Sequence, residues 1–298
     1  MKRTVIVTSA LAVVLTFSAA IRAQPPATVA EAHKDIKATL GFVPTFFKAV
    51  PDEVLSAAWD EMRTLQLGTE TALPNKTKEL IGLGVSAQVP CRYCIYAHSQ
   101  FAKANGATDR ELREAVAMAA LTRHWSTVLN GMSVDHVTFD KEIAKVFAHL
   151  ASPKAAPMKE EPITDAASAH RDIERTLGSV PRFFSAMPAS ALAPAWREMK
   201  GLQLSTTTAL DGKTKELIGL AVAAQIPCTY CVRFHTAAAK LAGATPTEIE
   251  EAVAMAALTR HWSTLLQGAQ LDEVRYRREI DQIVKNTSKA KTPKQAAR

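Results

Sequence analysis

The sequence predicts an all-α protein made of two tandem helical domains. Its 298 residues are enough for about two domains. Hydrophobic residues make up 47% of the chain, which allows packed cores, and the good helix formers Ala, Leu, Glu and Lys are abundant. We find no alternating pattern typical of a β-strand or hairpin.

An internal repeat predicts the two domains. Residues 76–83 recur letter for letter as residues 213–220, and residues 114–127 recur as residues 251–264, each 137 residues later. This repeat is too long for a solenoid unit and large enough to form its own core. The chain is therefore a tandem duplication of a whole domain.

Composition predicts the order of segments along the chain. A basic start at Lys2 and Arg3, an apolar run and a short stretch ending at Ala23 are typical of a signal peptide. We expect an exported protein, periplasmic or secreted, with an uncleaved N-terminal membrane anchor as the alternative. Three prolines and several charges predict an exposed linker between the copies. The predicted segments are a signal peptide at 1–23, domain 1 at 24–150, a linker at 151–162, domain 2 at 163–285 and a basic tail at 286–298.

The charge balance does not favour a nucleic-acid partner. The formal net charge is +7, but Lys2, Arg3 and Arg22 lie in the predicted leader, and 33 basic against 29 acidic residues remain without them. The predicted domains contain no concentrated basic stripe, so we expect no nucleic-acid binding.

Each copy is predicted to contain helices only. In copy one, an amphipathic helix over Val29–Leu40 ends at Gly41, which suits a C-cap. The capping box Thr108-x-x-Glu111 opens a helix that reaches about residue 129, and Thr245-x-x-Glu248 repeats the box in copy two. A short helical piece is predicted to begin at residue 43. The other predicted helices of copy one cover 52–67, 75–89, 90–104 and 139–150.

One short motif, present once in each copy, holds all four cysteines. It pairs a Cys-x-x-Cys with a histidine four residues after the second cysteine, and on a helix these positions share one face. A proline precedes each pair. Proline is favoured at the first helical position, and this would put the first cysteine in the first turn, where backbone amides and the helix dipole stabilise a thiolate. The pattern favours a dithiol redox centre. Its residues are Cys91, Cys94 and His98 in copy one and Cys228, Cys231 and His235 in copy two.

Other interpretations of the motif stay open. Two thiolates and His98 would supply three ligands to zinc. A structural disulfide is the other alternative, although a bridge closing so small a loop stabilises little. Covalent haem is excluded, because it needs a histidine directly after the second cysteine, where Ile95 and Val232 stand.

A glutamate on the preceding predicted helix supports the redox interpretation. Glu79 precedes Cys91 by twelve residues, as Glu216 precedes Cys228. If the two helices pack antiparallel, this carboxylate can face and orient the histidine, which in turn deprotonates a thiol. The alternative is a solvated glutamate. We expect His124 and His261, in the repeated Leu-Thr-Arg-His-Trp-Ser, to be structural.

The Glu, the two cysteines and the His together resemble the signature of the alkyl hydroperoxidase D (AhpD)-like branch of the carboxymuconolactone decarboxylase superfamily. The resemblance covers residues 27–150 and 163–284. It implies an all-helical, oligomeric enzyme that reduces hydroperoxides through a cysteine pair. In the implied roles, Cys94 and Cys231 are peroxidatic, Cys91 and Cys228 resolve them, and the Glu79–His98 and Glu216–His235 pairs relay protons. Tyr93 and Tyr230 stand where the best-studied type has a further histidine.

From these residues we expect an exported, thiol-dependent hydroperoxide reductase with an antioxidant role. It would need no metal or organic cofactor, and its partners would be a peroxide substrate and an external dithiol or thioredoxin-like reductant. We expect homo-oligomers, and within one chain we expect residues 114–127 and 251–264 to pack against each other. The alternatives are a metal-binding or structural repeat protein and a decarboxylase or lactone-processing enzyme.

Overall fold

The computed structural model describes residues 25–152 and 161–291. The predicted leader, most of the predicted linker and residues 292–298 lie outside this part of the chain. In the described residues all regular secondary structure is helical, with no β-strand, and no helix is long and apolar enough to cross a membrane. The prediction of an all-α fold is confirmed.

The two repeats have the same order of helices. In repeat 1 these are α1 (Val29–Leu40), a 3₁₀ turn (Thr45–Ala49), α2 (Asp52–Glu61) with a π turn (Met62–Gln66), α3 (Asn75–Gln88), α4 (Arg92–Ala104), α5 (Asp109–Gly131) and α6 (His136–Ala151). In repeat 2 they are α7 (Ala166–Leu177), α8 (Arg182–Ser185), α9 (Ala189–Leu202), α10 (Gly212–Gln225), α11 (Thr229–Leu241), α12 (Pro246–Gly268) and α13 (Glu273–Lys291). Helix α13 includes the first residues of the predicted tail.

Local signals set several helix ends where the sequence predicts them. Helix α1 ends at Gly41, whose φ of 88° is the left-handed conformation that glycine adopts most easily. Thr108 and Glu111 form the capping box of α5. The helix predicted over 52–67 is α-helical to Glu61 and then widens into the π turn, and such widened turns are frequent at functional sites.

The repeats pack on each other through their central helices. Helix α3 packs on α10, α5 packs on α10, and α12 packs on α3. The expectation that residues 114–127 and 251–264 pack mainly against each other is therefore wrong, because each long helix lies on the central helix of the other repeat. The second turn of each long helix is held to the other repeat by a glutamate side chain: the Glu114 carboxylate accepts the backbone N–H groups of Ala209 and Leu210, just before α10, both at 2.8 Å, and Glu251 makes the matching contacts.

The last helix of each repeat also lies on the other repeat. Helix α6 packs on α11, and α13 packs on α4. Helices α4 and α11 carry the two cysteine motifs. Both motifs are thus enclosed by elements from the two halves of the chain, within one continuous hydrophobic core.

Candidate active sites

The first cysteine of each motif is the N-cap of its helix. Helix α4 begins at Arg92, and Cys91 Sγ accepts the backbone N–H of Cys94 at 3.3 Å. The expectation that Pro90 occupies the first helical position is wrong, since Pro90 lies outside the helix. Cys91 is still at the positive end of the helix dipole, where a thiolate is stabilised. Cys228 has the same position before α11.

The two sulfur atoms of each motif are in hydrogen-bond contact. Cys91 Sγ and Cys94 Sγ are 2.7 Å apart, and the sulfurs of Cys228 and Cys231 are 2.8 Å apart. The hydrogen bond from the Cys94 thiol, helped by the Cys94 backbone N–H and by Ser263, lowers the pKa of Cys91 to about 6, although burial opposes this. The same sulfur contact, together with burial, raises the pKa of Cys94. Each pair thus holds one negative charge, centred on the N-cap sulfur, and titrates as a unit.

The predicted Glu–His pairs are in direct contact. Glu79 Oε2 lies 2.6 Å from His98 Nδ1, and Glu216 Oε2 lies 2.7 Å from His235 Nδ1. All four side chains are buried. A carboxylate can only accept, so Nδ1 carries a proton and donates it to the hydrogen bond. Nε2 is the ring atom left to exchange a proton with a reacting group.

A glutamine that the sequence analysis did not identify completes each pair. Gln66 Nε2 donates to Glu79 Oε1 at 3.0 Å, and Gln203 Nε2 donates to Glu216 Oε1 at the same distance. Gln66 lies in the π turn after α2. Its amide also lies 3.3 Å from Oε2, so it holds both carboxylate oxygens and helps to fix the orientation of the imidazole.

Buried Lys78 anchors the loop that follows this glutamine. Its Nζ donates to the carbonyls of Leu65 and Gly68 at 2.8 and 2.7 Å and to Thr71 Oγ1 at 2.9 Å. Desolvation lowers the pKa of Lys78, partly offset by Glu251 and Glu79. Lys215 makes the corresponding contacts in repeat 2.

Close approach of the histidine requires a glycine on the facing helix. A Cβ atom at Gly82 of α3 would lie 2.4 to 2.7 Å from the His98 ring, and one at Gly219 of α10 would lie 2.4 to 2.8 Å from the His235 ring. Both glycines belong to the repeated Lys-Thr-Lys-Glu-Leu-Ile-Gly-Leu, in which the glutamate stands three residues earlier. One turn of helix thus carries both the orienting carboxylate and the space for the ring.

Each site is completed by the long helix of the other repeat. Thr259 Oγ1 of α12 lies 3.5 Å from His98 Nε2, and Ser263 hydrogen-bonds Cys91 and lowers its pKa. In the second site, Thr122 Oγ1 of α5 lies 3.3 Å from His235 Nε2, and Ser126 hydrogen-bonds Cys228. The Leu-Thr-Arg-His-Trp-Ser stretch, identical in the two copies, therefore makes the same two kinds of contact in each site.

The histidines of that stretch are not part of the sites. His124 and His261 are exposed, and their rings meet Trp125 and Trp262 edge-on at centroid distances of 5.4 and 5.8 Å. They lie beside the tryptophans as expected, but they are exposed and so are not buried in the packing between helices. The side chains of the stretch that contact the motifs or line the cavities are the threonine, tryptophan and serine, which the sequence analysis did not single out.

A small cavity lies beside each motif, lined by both repeats. We call them the Cys94 site and the Cys231 site after the cysteine that lines each one. The Cys94 site has a volume of about 50 Å³ and the Cys231 site about 30 Å³. Cys91 and Cys228 are fully buried next to these cavities. The Cys94 site is lined by Leu40, Phe46, Met62, Gln66, Leu67, Cys94, Ala97, His98, Phe101, Leu258, Thr259, Trp262, Tyr276, Ile280 and Ile283. The Cys231 site is lined by Leu121, Thr122, Trp125, Leu129, Phe139, Phe183, Met199, Gln203, Cys231, Phe234 and His235.

The two sites differ in the groups around the N-cap sulfur. Asn130 Nδ2 donates to Cys228 Sγ at 3.4 Å, whereas Gln267, its counterpart in repeat 2, donates to Ser263 Oγ. The pKa of Cys228 is lowered to about 5, mainly by the Cys231 thiol and also by Ser126 and Asn130.

The donor set does not match a metal centre. Among the described residues no group of three or more His, Cys, Asp or Glu side chains lies at metal-binding spacing. The two thiols and His98, which the zinc interpretation needs, do not form such a group, and Glu79 occupies Nδ1 of that histidine.

Comparison with known proteins gives a family and a fold. The model of the carboxymuconolactone decarboxylase family matches residues 54–135 and 190–273. A crystal structure from Burkholderia xenovorans LB400, of a protein that carries the name gamma-carboxymuconolactone decarboxylase subunit, superimposes with a TM-score of 0.54 at 18% identity. The match covers 83% of this chain and 98% of that one, and at this identity it supports the fold alone. No curated protein has a significantly similar sequence.

Proposed function

Because the chain belongs to the carboxymuconolactone decarboxylase family, we propose that it is an enzyme of the AhpD-like, thiol-dependent type and reduces hydroperoxides at two sites. One observation carries the proposal. In each repeat a contacting cysteine pair, with its first sulfur at a helix N-cap, stands beside a buried Glu–His pair at the same small cavity. This arrangement supplies a thiolate, a second thiol and a proton carrier.

In the proposed cycle Cys94, which lines the cavity, reacts with the peroxide. Its proton, which the hydrogen bond to Cys91 holds in the resting pair, passes to His98 Nε2 as the sulfur attacks one peroxide oxygen, so that the two sulfurs never carry two full negative charges. The S–O bond forms as the O–O bond breaks, and the alkoxide takes the proton from His98 and leaves as alcohol. Cys94 is left as a sulfenic acid.

Cys91 then closes the disulfide. Its low pKa keeps it as a thiolate at neutral pH, so it needs no base of its own. It attacks Cys94 Sγ, and the S–O bond breaks to release hydroxide, which takes a proton from solvent. The two sulfurs lose two electrons in total, and the hydroperoxide becomes alcohol and water. An external dithiol restores the pair by exchange.

The residues lining the cavities favour this function over decarboxylation of a carboxylated lactone. No Lys or Arg belongs to the described lining of either cavity, so an anionic substrate would be buried there without a counter-charge. Lactone chemistry also leaves the two contacting thiols without a role. We propose further that the protein works after export and that chains associate into homo-oligomers. Light scattering of the purified mature chain tests that association.

The test is consumption of tert-butyl hydroperoxide with dithiothreitol as the reductant. We expect the wild-type chain to turn over and the double variant Cys94→Ser, Cys231→Ser to be inactive, with each single variant keeping part of the activity. Circular dichroism and thermal unfolding establish that the variants are folded. Equal activity of the folded double variant and the wild type would refute the proposal.

A further inference from the structure

One polar side chain lines the cavity of the Cys94 site and has no polar counterpart in the Cys231 site. Tyr276 of α13 lines the first cavity, and Phe139 of α6, 137 residues earlier in the chain, lines the second. The two rings occupy matching places. Tyr276 meets the ring of Tyr93 edge-on at a centroid distance of 5.3 Å. Phe139 meets Tyr230 in the same way at 5.1 Å. At this position the two sites therefore differ by a single hydroxyl group.

The hydroxyl group of Tyr276 is free to bind a ligand. The chain has four tyrosines, and the other three donate their hydroxyl protons to a backbone carbonyl or a carboxylate: Tyr93 to Leu271, Tyr96 to Asp281 and Tyr230 to Val134. Tyr276 has no hydrogen-bond partner among the described residues, yet its hydroxyl is not sealed off. It retains accessible surface, unlike the buried indole nitrogens of Trp125 and Trp262.

The accessible surface of this hydroxyl belongs to the Cys94 cavity. The other polar lining residues are the same in both sites, namely a glutamine, a cysteine, a histidine, a threonine and a tryptophan in equivalent positions. In the Cys231 site these residues leave the accessible wall of the cavity entirely apolar. The wall of the Cys94 cavity does include polar surface. Tyr276 is the polar lining residue that distinguishes the two sites, so it accounts for this difference.

The hydroxyl lies near the reacting groups and keeps its proton. Burial raises the pKa of Tyr276 well above its usual value, and the negative charge of the Cys91–Cys94 pair raises it further. The side chain is therefore a neutral hydrogen-bond donor at neutral pH. Cys94, His98 and Tyr276 line the same cavity of about 50 Å³, and a molecule bound in so small a space is held close to all three.

We propose that Tyr276 is a catalytic residue of the Cys94 site alone, where its hydroxyl donates a hydrogen bond to the oxygen that leaves when Cys94 attacks the hydroperoxide. This inference rests on the proposed function and adds to one of its two sites a group that the other lacks. Negative charge develops on the leaving oxygen as the O–O bond breaks, and a donor already in place stabilises that charge. The proton that leaves with the alcohol still comes from His98, and Tyr276 keeps its own.

A competing role for the hydroxyl is a hydrogen bond to one of the two sulfurs. The described residues show no such contact, since Cys91 is bound by the Cys94 thiol, by Ser263 and by backbone N–H groups. The two roles affect different reactions. A donor to the leaving oxygen accelerates only the attack on a peroxide, whereas a donor to a sulfur changes the reactivity of the thiols toward every electrophile.

The test compares the rates at which the cysteine pair reacts with two electrophiles. In the parent chain Cys228→Ser, Cys231→Ser only the Cys94 site works, and there Tyr276→Phe keeps the ring and removes the hydroxyl. With excess tert-butyl hydroperoxide we expect the rate constant for thiol loss to fall by about tenfold or more, the effect of one lost hydrogen bond to a developing charge. With iodoacetamide, whose leaving group is iodide, the rate of alkylation should stay the same.

Two further variants serve as controls. Tyr96→Phe removes a hydroxyl from α4 that bonds Asp281 and does not belong to the described lining of the cavity, so it should change neither rate. Phe139→Tyr, in a chain with Cys91→Ser and Cys94→Ser, adds the hydroxyl to the Cys231 site. There we expect faster thiol loss with tert-butyl hydroperoxide and an unchanged rate with iodoacetamide. Thermal unfolding establishes that each variant is folded.

The outcomes separate this inference from the proposed function. If the parent chain loses no thiols to tert-butyl hydroperoxide, the proposed function is wrong and the catalytic role of Tyr276 is wrong with it. If the parent loses its thiols and folded Tyr276→Phe loses them at the same rate, the function stands and the inference is wrong. Equal slowing of the reactions with hydroperoxide and iodoacetamide would also overturn the inference, because the hydroxyl would then act on the thiols.

Discussion

Replacing Ser263 with alanine should damage the cysteine pair of repeat 1, although Ser263 belongs to repeat 2. The serine hydrogen-bonds Cys91 and helps to lower the pKa of that thiol to about 6. At this pKa about nine-tenths of the N-cap sulfur is ionised at pH 7. Alanine at position 263 removes the hydroxyl donor and leaves the helix N-terminus and the contact between the two sulfurs in place.

The size of the effect follows from the strength of the lost bond. A hydrogen bond to a charged group contributes about 1.5–3 kcal/mol. One pKa unit corresponds to about 1.4 kcal/mol, so the pKa of Cys91 should rise by about one to two units. The ionised fraction at pH 7 would then fall to between about one half and one tenth. The Cys91 thiolate is lost as the pH falls through its pKa. With a higher pKa this loss begins at a higher pH, so attack of Cys91 on the sulfenic acid should slow down earlier on acidification than in the wild type.

The assay is the ultraviolet absorbance of thiolate followed against pH. The background is Cys228→Ser, Cys231→Ser, so only the pair in repeat 1 contributes. Ser126→Ala is the matched control, because Ser126 belongs to repeat 1 but contacts Cys228. An unchanged titration in Ser263→Ala, or an equal shift in Ser126→Ala, would refute the reasoning that each site is completed by the opposite repeat.

Three further changes test other parts of the site. Glu79→Gln should leave the fold intact yet slow peroxide reduction at the Cys94 site by about a hundredfold or more, measured by single-turnover kinetics, because His98 loses the carboxylate that orients it. Gly82→Ala should give a similar loss and destabilise the protein by about 1–3 kcal/mol in denaturant unfolding, because the added methyl group overlaps the imidazole. Asn130→Ala should raise the pKa of Cys228, the N-cap thiol of repeat 2, because it removes a donor 3.4 Å from the sulfur. The pKa is measured from the absorbance of the thiolate.

Each of these changes has its own control and its own contrary result. Gly201→Ala adds a methyl group where nothing lies within 4 Å, so it should affect neither activity nor folding. Gln267→Ala is the control for Asn130→Ala, since Gln267 contacts Ser263 and not the sulfur. Full activity in Glu79→Gln would argue against a proton relay. Wild-type stability and rate in Gly82→Ala would show that His98 does not need the glycine. An unchanged thiol pKa in Asn130→Ala would show that Asn130 does not stabilise the thiolate of repeat 2.

Local signals in the sequence were sufficient to predict most of the helices and the core of the motif. Gly41 ends α1 and the box at Thr108 opens α5, because both act within one helical turn. The constant spacing of Glu79, Cys94 and His98 predicted their proximity for a similar reason: α3 and α4 are consecutive and joined by a short turn.

Contacts between the repeats could not be derived in the same way. Because Thr122 and Thr259 stand in identical stretches, the sequence does not show whether each serves its own copy or the other one. That choice depends on how α5 and α12 pack, which is a property of the whole core. Gln66 was missed although Leu-Gln-Leu recurs around Gln203 at the same offset of 137 residues, because many other residues recur as well and only the π turn places this glutamine against Glu79.

The central claim is that each repeat carries a peroxide-reactive cysteine pair, and a count of thiols by mass spectrometry tests it most directly. Fully reduced protein would be treated with a slight excess of tert-butyl hydroperoxide, quenched, alkylated and digested. We expect all four thiols to be lost, with disulfides joining Cys91 to Cys94 and Cys228 to Cys231 and one alcohol formed per disulfide. Four free thiols that persist under excess hydroperoxide in folded protein would contradict the account.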